Sequence, residues 1–278
     1  MNSQLRVPCT YQGGKQRLAS KIADILLESA PSQSSRFYDL CCGSGAISIE
    51  LVNRGIGTER ISMLDFSSWG TFWEAIGAGA FQTGAFTEFL SQIPDDKTLV
   101  KRYMTELAQK DPGVFEAEIY PIMQACSFGG KQIWWDGAAW RNAFFRDYWQ
   151  PTVTSVRRSP ANPMQPSPDE LKRRVLRLAA DMAGVRGMRR EVFSVLDGEI
   201  PDDAVVYIDP PYAGTTSYGF DFDLHAFVNQ FRSQSDAVLY VSESRPLASD
   251  AVELVLEGAK GGISGNRSRK HREWLTRF

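Results

Sequence analysis

The tetrapeptide Asp209-Pro210-Pro211-Tyr212 follows the apolar run Val205-Val206-Tyr207-Ile208, which predicts a buried strand ending in a turn. Two consecutive prolines remove two backbone N–H donors and fix φ at about −65°. The Pro210 carbonyl then stays out of any strand ladder and points into the crevice that the turn borders. A carboxylate, a carbonyl and an aromatic face at one sheet edge suit a planar ring bearing an amine. Asp209 and the Pro210 carbonyl can each accept one hydrogen of an exocyclic –NH2 while Tyr212 stacks on the ring. The same residues also occur in ordinary strand-to-loop turns, so their chemistry depends on what else reaches that edge.

A glycine turn after a strand lets the backbone approach a bound nucleoside, and an acid ending the next strand can accept hydrogen bonds from ribose hydroxyls. Gly43 and Gly45 fill the first position and Asp65 the second. The third glycine of the dinucleotide spacing is missing, which disfavours a nicotinamide cofactor, and nothing caters for a pyrophosphate. A non-phosphorylated nucleoside such as S-adenosylmethionine remains. Tyr11-Gln12-Gly13-Gly14-Lys15 lacks both the upstream glycine and the following Ser or Thr of a Walker A loop. A lysine at a glycine-opened helix start can instead meet the methionine carboxylate of such a cofactor, with Tyr11 packing on its aliphatic part.

These residues need an α/β scaffold, and the surrounding pattern predicts one. Leu18, Ile22, Ile25 and Leu26 have helical spacing within Gly13 to Ser29. Arg36 to Cys41 predicts a strand, Ile47 to Val52 a helix after the glycine turn, and Arg60 to Leu64 a strand ending at Asp65. This order opens a doubly wound sheet. Residues 69–187 differ in texture: a glycine-rich stretch from Gly77 to Gly84, two helices, then an aromatic tract with Trp134, Trp135, Trp140 and Trp149, and a proline-rich loop. Ser167-Pro168-Asp169-Glu170 is a capping box predicting a helix to about Ala183. The α/β signal resumes with strands at Val192 to Leu196, Val205 to Ile208 and Val238 to Val241, and a helix from His225 to Phe231. The expectation is an α/β domain formed by residues 1–68 and 188–278, interrupted by an insertion at 69–187.

Composition narrows the classes. With 278 residues and 43% hydrophobic content, the chain is long enough for an enzyme-sized core. Its apolar stretches fall short of the ~20 residues that cross a bilayer, and the N-terminus lacks signal-peptide features. The expectation is a soluble intracellular, cytoplasmic protein. Four cysteines without a CxxC pair and only two histidines argue against a disulfide framework and against a metal site. A formal net charge of −2 argues against coating nucleic acid by bulk charge. Positive charge is nevertheless concentrated from Arg157 to Arg190 and again from Arg267 to Arg277. A solvated helix face accounts for Lys172 to Arg177 but not for Arg157-Arg158, which lie in the proline-rich loop.

Taken in order, Tyr11-x-Gly13-Gly14-Lys15, Asp39-x-x-x-Gly43-x-Gly45, Asp65, a long insertion and Asp209-Pro-Pro-Tyr212 resemble the Dam-type (D12 class, alpha group) DNA N6-adenine methyltransferases. Thr215, Tyr218 and Phe222 resemble the residues that follow the family's catalytic motif, and Arg269 with Glu273-Trp274-Leu275 resembles its C-terminal strand. The resemblance implies a Rossmann-like methyltransferase sheet with an inserted, mainly helical target-recognition region. It places S-adenosylmethionine against Tyr11, Gly13, Gly14, Lys15, Asp39, Gly43, Gly45, Asp65 and Asp209, and the target base against Asp209, Pro210, Pro211 and Tyr212. Cys41 stands where the family has phenylalanine, Ser67 lies near its asparagine, Val192-Phe193 lacks its acid, and Ser242-Glu243-Ser244 replaces its Ser-Asn.

The implied partner is double-stranded DNA, with Lys131, Arg141, Asn142, Arg157, Arg158 and Tyr218 as contact candidates; arginine suits guanine and asparagine adenine edges. The oligomeric state is left open. An N4-cytosine methyltransferase shares the amine geometry, and a DNA-binding relative without catalysis is the alternative of another class. C5-cytosine chemistry is rejected because the cysteine of Pro8-Cys9 precedes the first helix, away from a suitable strand turn.

Overall fold

The computed structural model describes residues 4–198, 200–211, 222–256 and 271–278. In chain order the elements are α1 (Ala19–Glu28), β1 (Phe37–Leu40), α2 (Ala46–Asn53), β2 (Ile61–Asp65), α3 (Ser68–Gly77), α4 (Thr83–Ser91), α5 (Val100–Leu107) and α6 (Glu116–Cys126). There follow β3 (Trp134–Trp135), β4 (Trp140–Arg141), α7 (Pro168–Asp181), β5 (Arg186–Arg189), β6 (Val205–Ile208), α8 (Leu224–Gln234), β7 (Val238–Glu243), β8 (Val252–Leu256) and β9 (His271–Arg277).

Seven strands form one sheet in the order β5-β2-β1-β6-β7-β9-β8, while β3 and β4 pair as a separate hairpin. Neighbours from β5 to β7 run parallel, and β9 lies antiparallel between β7 and β8. This is the expected α/β, Rossmann-like sheet. Strands β1, β2 and β6 are buried along their whole length, which is why they read as continuous apolar runs. Their side chains alternate between two cores. Phe37, Met63 and Tyr207 face the layer containing Ile22, Leu26 and Trp73, whereas Leu40, Leu64 and Ile208 face Phe227 and Phe231 of α8. Each such fully buried side chain contributes roughly 1.5–3 kcal/mol by leaving water.

The parallel registers position the chemistry. Leu40 is level with both Leu64 and Ile208, so Cys41, Asp65 and Asp209 leave the sheet side by side. The connection leaving β1 runs to β2 and the one leaving β6 runs the opposite way to β7, so the strand order reverses between β1 and β6, the switch where open α/β sheets bind ligands.

Several expectations need correction. Val192–Leu196 is a 3-10 turn, not a strand: Val192, Val195 and Leu196 are buried at helical spacing. The strand is Arg186–Arg189, whose sequence contains little apolar character because it forms an edge of the sheet and only Met188 of it is buried. A Cβ on Gly187 would sit 2.1 Å from the Trp73 carbonyl oxygen. The expected division at residue 187 therefore falls inside β5. Four helices, not two, precede the aromatic tract, the first opening at Ser68 with the Ser67 hydroxyl accepting from the Trp69 N–H. Gly13 and Gly14 do not open α1, which begins at Ala19. Helix α7 forms with Pro168 in its first turn, but Ser167 makes no side-chain cap and the helix ends at Asp181.

Candidate active site

The turn from β1 into α2 is tightly coiled, with left-handed φ at Cys41 (58°), Gly43 (49°) and Gly45 (73°). Glycine is needed for space as well as conformation. A Cβ on Gly43 would lie 2.8 Å from the Tyr11 ring, and one on Gly45 would lie 2.3 Å from the Trp73 ring. The Gly43 N–H donates to Asp65 at 2.8 Å, and the Gly43 carbonyl accepts from the Trp73 indole at 2.9 Å. The other Asp65 oxygen accepts from the Ser67 N–H and hydroxyl at 2.9 and 2.5 Å. Asp39, one strand inward, accepts from the Ser48 N–H and hydroxyl at 3.2 and 2.7 Å, tying β1 to the first turn of α2.

Above this turn lies a cavity of about 370 Å³, within the ordinary range for a small-molecule site. Tyr11, Gly13, Gly14 and Lys15 line it from the N-terminal segment, Asp39, Gly43 and Asp65 from the sheet, and Asp209 and Pro211 from the end of β6. Gly45 lies beneath the lining against Trp73, and Pro210 is also outside it. Tyr212 and Tyr218, like Thr215 and Arg269, lie outside the described residues. Sequence reasoning missed Gln132, Glu191 and Tyr207 in the wall, and Phe66, which is 48% exposed beside Asp65. Phe66 could have been found as the residue after the strand-ending acid. Gln132 and Glu191 have no local signal.

Charge dominates the cavity. The Lys15 ammonium lies 2.7 and 2.8 Å from the two Asp209 oxygens and 3.6 Å from Glu273. The sequence expectation put this lysine at a cofactor carboxylate; here it is held between two acids of β6 and β9. Glu273 in turn accepts from the Ser242 hydroxyl at 2.8 Å. Burial raises the Asp209 carboxyl to about 6, opposed by Lys15 and reinforced by Glu273 and Glu243. Asp39 is raised to about 7, mainly by burial against the Ser48 hydrogen bonds, with Asp209 and Asp65 adding to the rise. Asp65 is raised by burial despite donors from Ser67 and Gly43 and the nearby Arg189.

The DNA-contact candidates do not line the cavity. Lys131 is exposed just before Gln132, and Arg141 pairs with Asp136 across the β3–β4 hairpin. Asn142 is exposed in a left-handed conformation (φ 51°). Arg157 and Arg158 donate to the carbonyls of Pro160 and Val153 in their own loop, at 3.1 and 3.2 Å. Of the tryptophans, Trp140 is buried, Trp134 and Trp135 are half-buried, and Trp149 is exposed. The insertion is anchored to the N-terminal segment by the Gln12 N–H donating to the Gly130 carbonyl at 2.8 Å.

Among the described residues no cluster of His, Cys, Asp or Glu is arranged to hold a metal ion, and no helix is long and apolar enough to cross a membrane. No protein-family model matches the chain, and no curated protein matches it. Among solved structures, the rRNA methyltransferase aviRa from Streptomyces viridochromogenes is similar over 94% of this chain and 84% of that one, at 18% identity and a TM-score of 0.40. At that level the similarity is one of overall chain arrangement.

Proposed function

We propose that this chain transfers a methyl group from S-adenosylmethionine to the N6 amine of adenine in double-stranded DNA. The observation that carries this reading is that Asp209 and the glycine turn after β1 open into one cavity, with Asp65 and Tyr11 in the same wall. The cofactor fits the charge found there. Its sulfonium and ammonium outweigh its carboxylate, and the cavity presents Asp39, Asp65, Glu191 and Asp209 against Lys15. A pyrophosphate-bearing cofactor would meet the same acids as repulsion.

When bound, the cofactor supplies a methyl group activated on a positively charged sulfur. Asp65 and the Gly43 backbone would hold the nucleoside end, with Tyr11 over the glycine turn. Adenine N6 is a weak nucleophile because its lone pair is delocalised into the ring. Asp209 in the cavity wall and, by the family resemblance, the Pro210 carbonyl would each accept one amine hydrogen and favour a pyramidal nitrogen whose lone pair faces the methyl group, so that displacement needs no histidine base. The family resemblance assigns stacking on the base to Tyr212. Extrusion of the base from the duplex costs a few kcal/mol, of which stacking returns about 1–3. Phosphate contacts would provide the remainder, with Lys131, Arg141, Asn142, Arg157 and Arg158 of the insertion as the candidates.

The test is to incubate the chain with unmethylated DNA and cofactor labelled in the methyl group, then identify the modified nucleoside and its flanking bases. N6-methyladenine is expected. Label recovered as N4-methylcytosine, in RNA or protein only, or not transferred at all, overturns the assignment.

A further inference from the structure

We propose that the cavity selects its cofactor by charge, holding the sulfonium form more tightly than the neutral thioether left after transfer, through the carboxylates of Asp39, Asp65, Glu191 and Asp209. The inference rests on the methyltransferase reading above and adds to it a basis for product release.

Charge balance in the wall supports the proposal. Among the described residues, the charged lining consists of those four carboxylates and the Lys15 ammonium. Further acids stand behind: Glu273 on β9 is 1% exposed and Glu243 on β7 is 4% exposed. The Lys15 ammonium pairs with Asp209 and Glu273, and among the described residues no cation acts appreciably on Asp39. Arg189, the cation nearest Asp65 on β5, donates to both oxygens of Glu116 at 2.9 and 2.8 Å. Asp39 faces the hydroxyl and N–H of Ser48 on α2 and the acids Asp65 and Asp209 on its two neighbouring strands. Among the described residues the cavity lining therefore carries more acids than cations, and a cation inside it relieves repulsion among buried acids.

The chemistry removes that cation. As the methyl carbon moves from sulfur to nitrogen, the amine lone pair forms the new bond and sulfur keeps the old bonding pair and becomes neutral. The alkylated amine then loses a proton to water. What stays behind is a thioether among the same carboxylates, deprived of the attraction that favoured binding. Because Asp39 and Asp209 titrate at about 7 and about 6, entry of the sulfonium near neutrality displaces protons from them, and entry of the thioether does not.

Calorimetric titration of the full chain with S-adenosylmethionine, S-adenosylhomocysteine and sinefungin, which has a protonated amine where the sulfonium stands, tests this between pH 6 and 8.5. At pH 8 the two cationic ligands should bind at least about tenfold tighter than the thioether, an advantage that narrows toward pH 6. In buffers of differing ionisation heat, S-adenosylmethionine binding near pH 7 should release protons and S-adenosylhomocysteine binding should not. Glu191→Gln, at an exposed position, should narrow the ratio about two- to threefold without affecting folding. Equal affinities at every pH overturn the proposal and leave the methyltransferase reading intact. Absence of binding by all three ligands overturns both.

Discussion

The Lys15 ammonium contacts both carboxylate oxygens of Asp209, at 2.7 and 2.8 Å, across a separation of 194 residues. The N-terminal segment thereby closes over the end of β6 and orients the acid on which the proposed chemistry depends. Lys15 is 7% exposed and Asp209 18%, so each is the other's main substitute for water.

Lys15→Met removes the group that opposes the upward shift of Asp209, so the carboxyl should titrate higher than about 6. A protonated Asp209 cannot accept an amine hydrogen with the oxygen that carries its proton. Methyl transfer at pH 7 should fall at least about tenfold and recover partly toward pH 9, the acidic limb of the pH–rate profile moving upward by about one unit or more. A uniform loss at every pH would mean that Lys15 does not act through Asp209.

The glycine turn makes a second prediction with two separable outcomes. Gly45→Ala places a methyl group against the buried Trp73 ring in a left-handed backbone conformation and should cost roughly 2–4 kcal/mol of stability, read by chemical denaturation. At Gly43 the obstructing atom belongs to the Tyr11 ring, which is only half-buried. Gly43→Ala should therefore cost less stability but weaken cofactor binding about tenfold or more, because the ring must move into the cavity or away from it.

The contrast between these elements shows what was legible from sequence. Strands β1, β2, β6 and β7 announced themselves as apolar runs because they are buried on both faces, and Asp65 and Asp209 were placed by ending two of them. Strand β5 could not be seen, since Arg186-Gly187-Met188-Arg189 owes its place to the missing side chain of Gly187 against α3. Helix α6 was hidden for the opposite reason: all its residues are buried, so no amphipathic period survives, and Pro121 lies within it. Its acids take distant donors: Glu116 accepts from Arg189 and Thr71, and one Glu118 oxygen accepts from the Gln82 N–H while the other is buried without a partner among the described residues. The Lys15–Asp209 pair was likewise illegible, because no local pattern reports a partner so far along the chain.

The buried acids predict an unusual stability profile. Asp39 at about 7 and Asp209 at about 6 both hold protons more tightly folded than at the ordinary carboxylate value of 3.8. The folded state thus binds more protons than the unfolded one between about pH 4 and pH 7. Their contribution to stability is present at low pH, is lost as pH rises through that window, and is level above it. Asp136, lowered to about 2 by the Ala139 and Ala138 N–H groups and Arg141, acts in the opposite sense but below this window. The ligand-free chain should melt at a higher temperature at pH 5 than at pH 8. Asp39→Asn should flatten the difference, adding on the order of 2–3 kcal/mol more at pH 8 than at pH 5. A melting temperature that rises steadily from pH 5 to pH 8 would refute the assignment of these two groups.

The insertion's surface gives the last prediction, because its arginines differ in how they are neutralised. Arg141 is paired with Asp136, whereas Arg157 and Arg158 bond only to carbonyl oxygens of their own loop. Full positive charge at the second site remains available to a phosphate backbone. If duplex DNA docks there, Arg157→Glu with Arg158→Glu should weaken binding at least about tenfold at physiological salt. It should also reduce the slope of log affinity against log salt by about 2, since each neutralised phosphate accounts for about 0.9. Arg141→Ala should have a smaller effect, because its charge is already largely neutralised by Asp136. Cofactor affinity should stay unchanged in both variants, since none of these arginines lines the cavity. Fluorescence anisotropy with a labelled duplex across a salt series reads all of this, and an unchanged slope in the double variant would place the DNA on another face of the insertion.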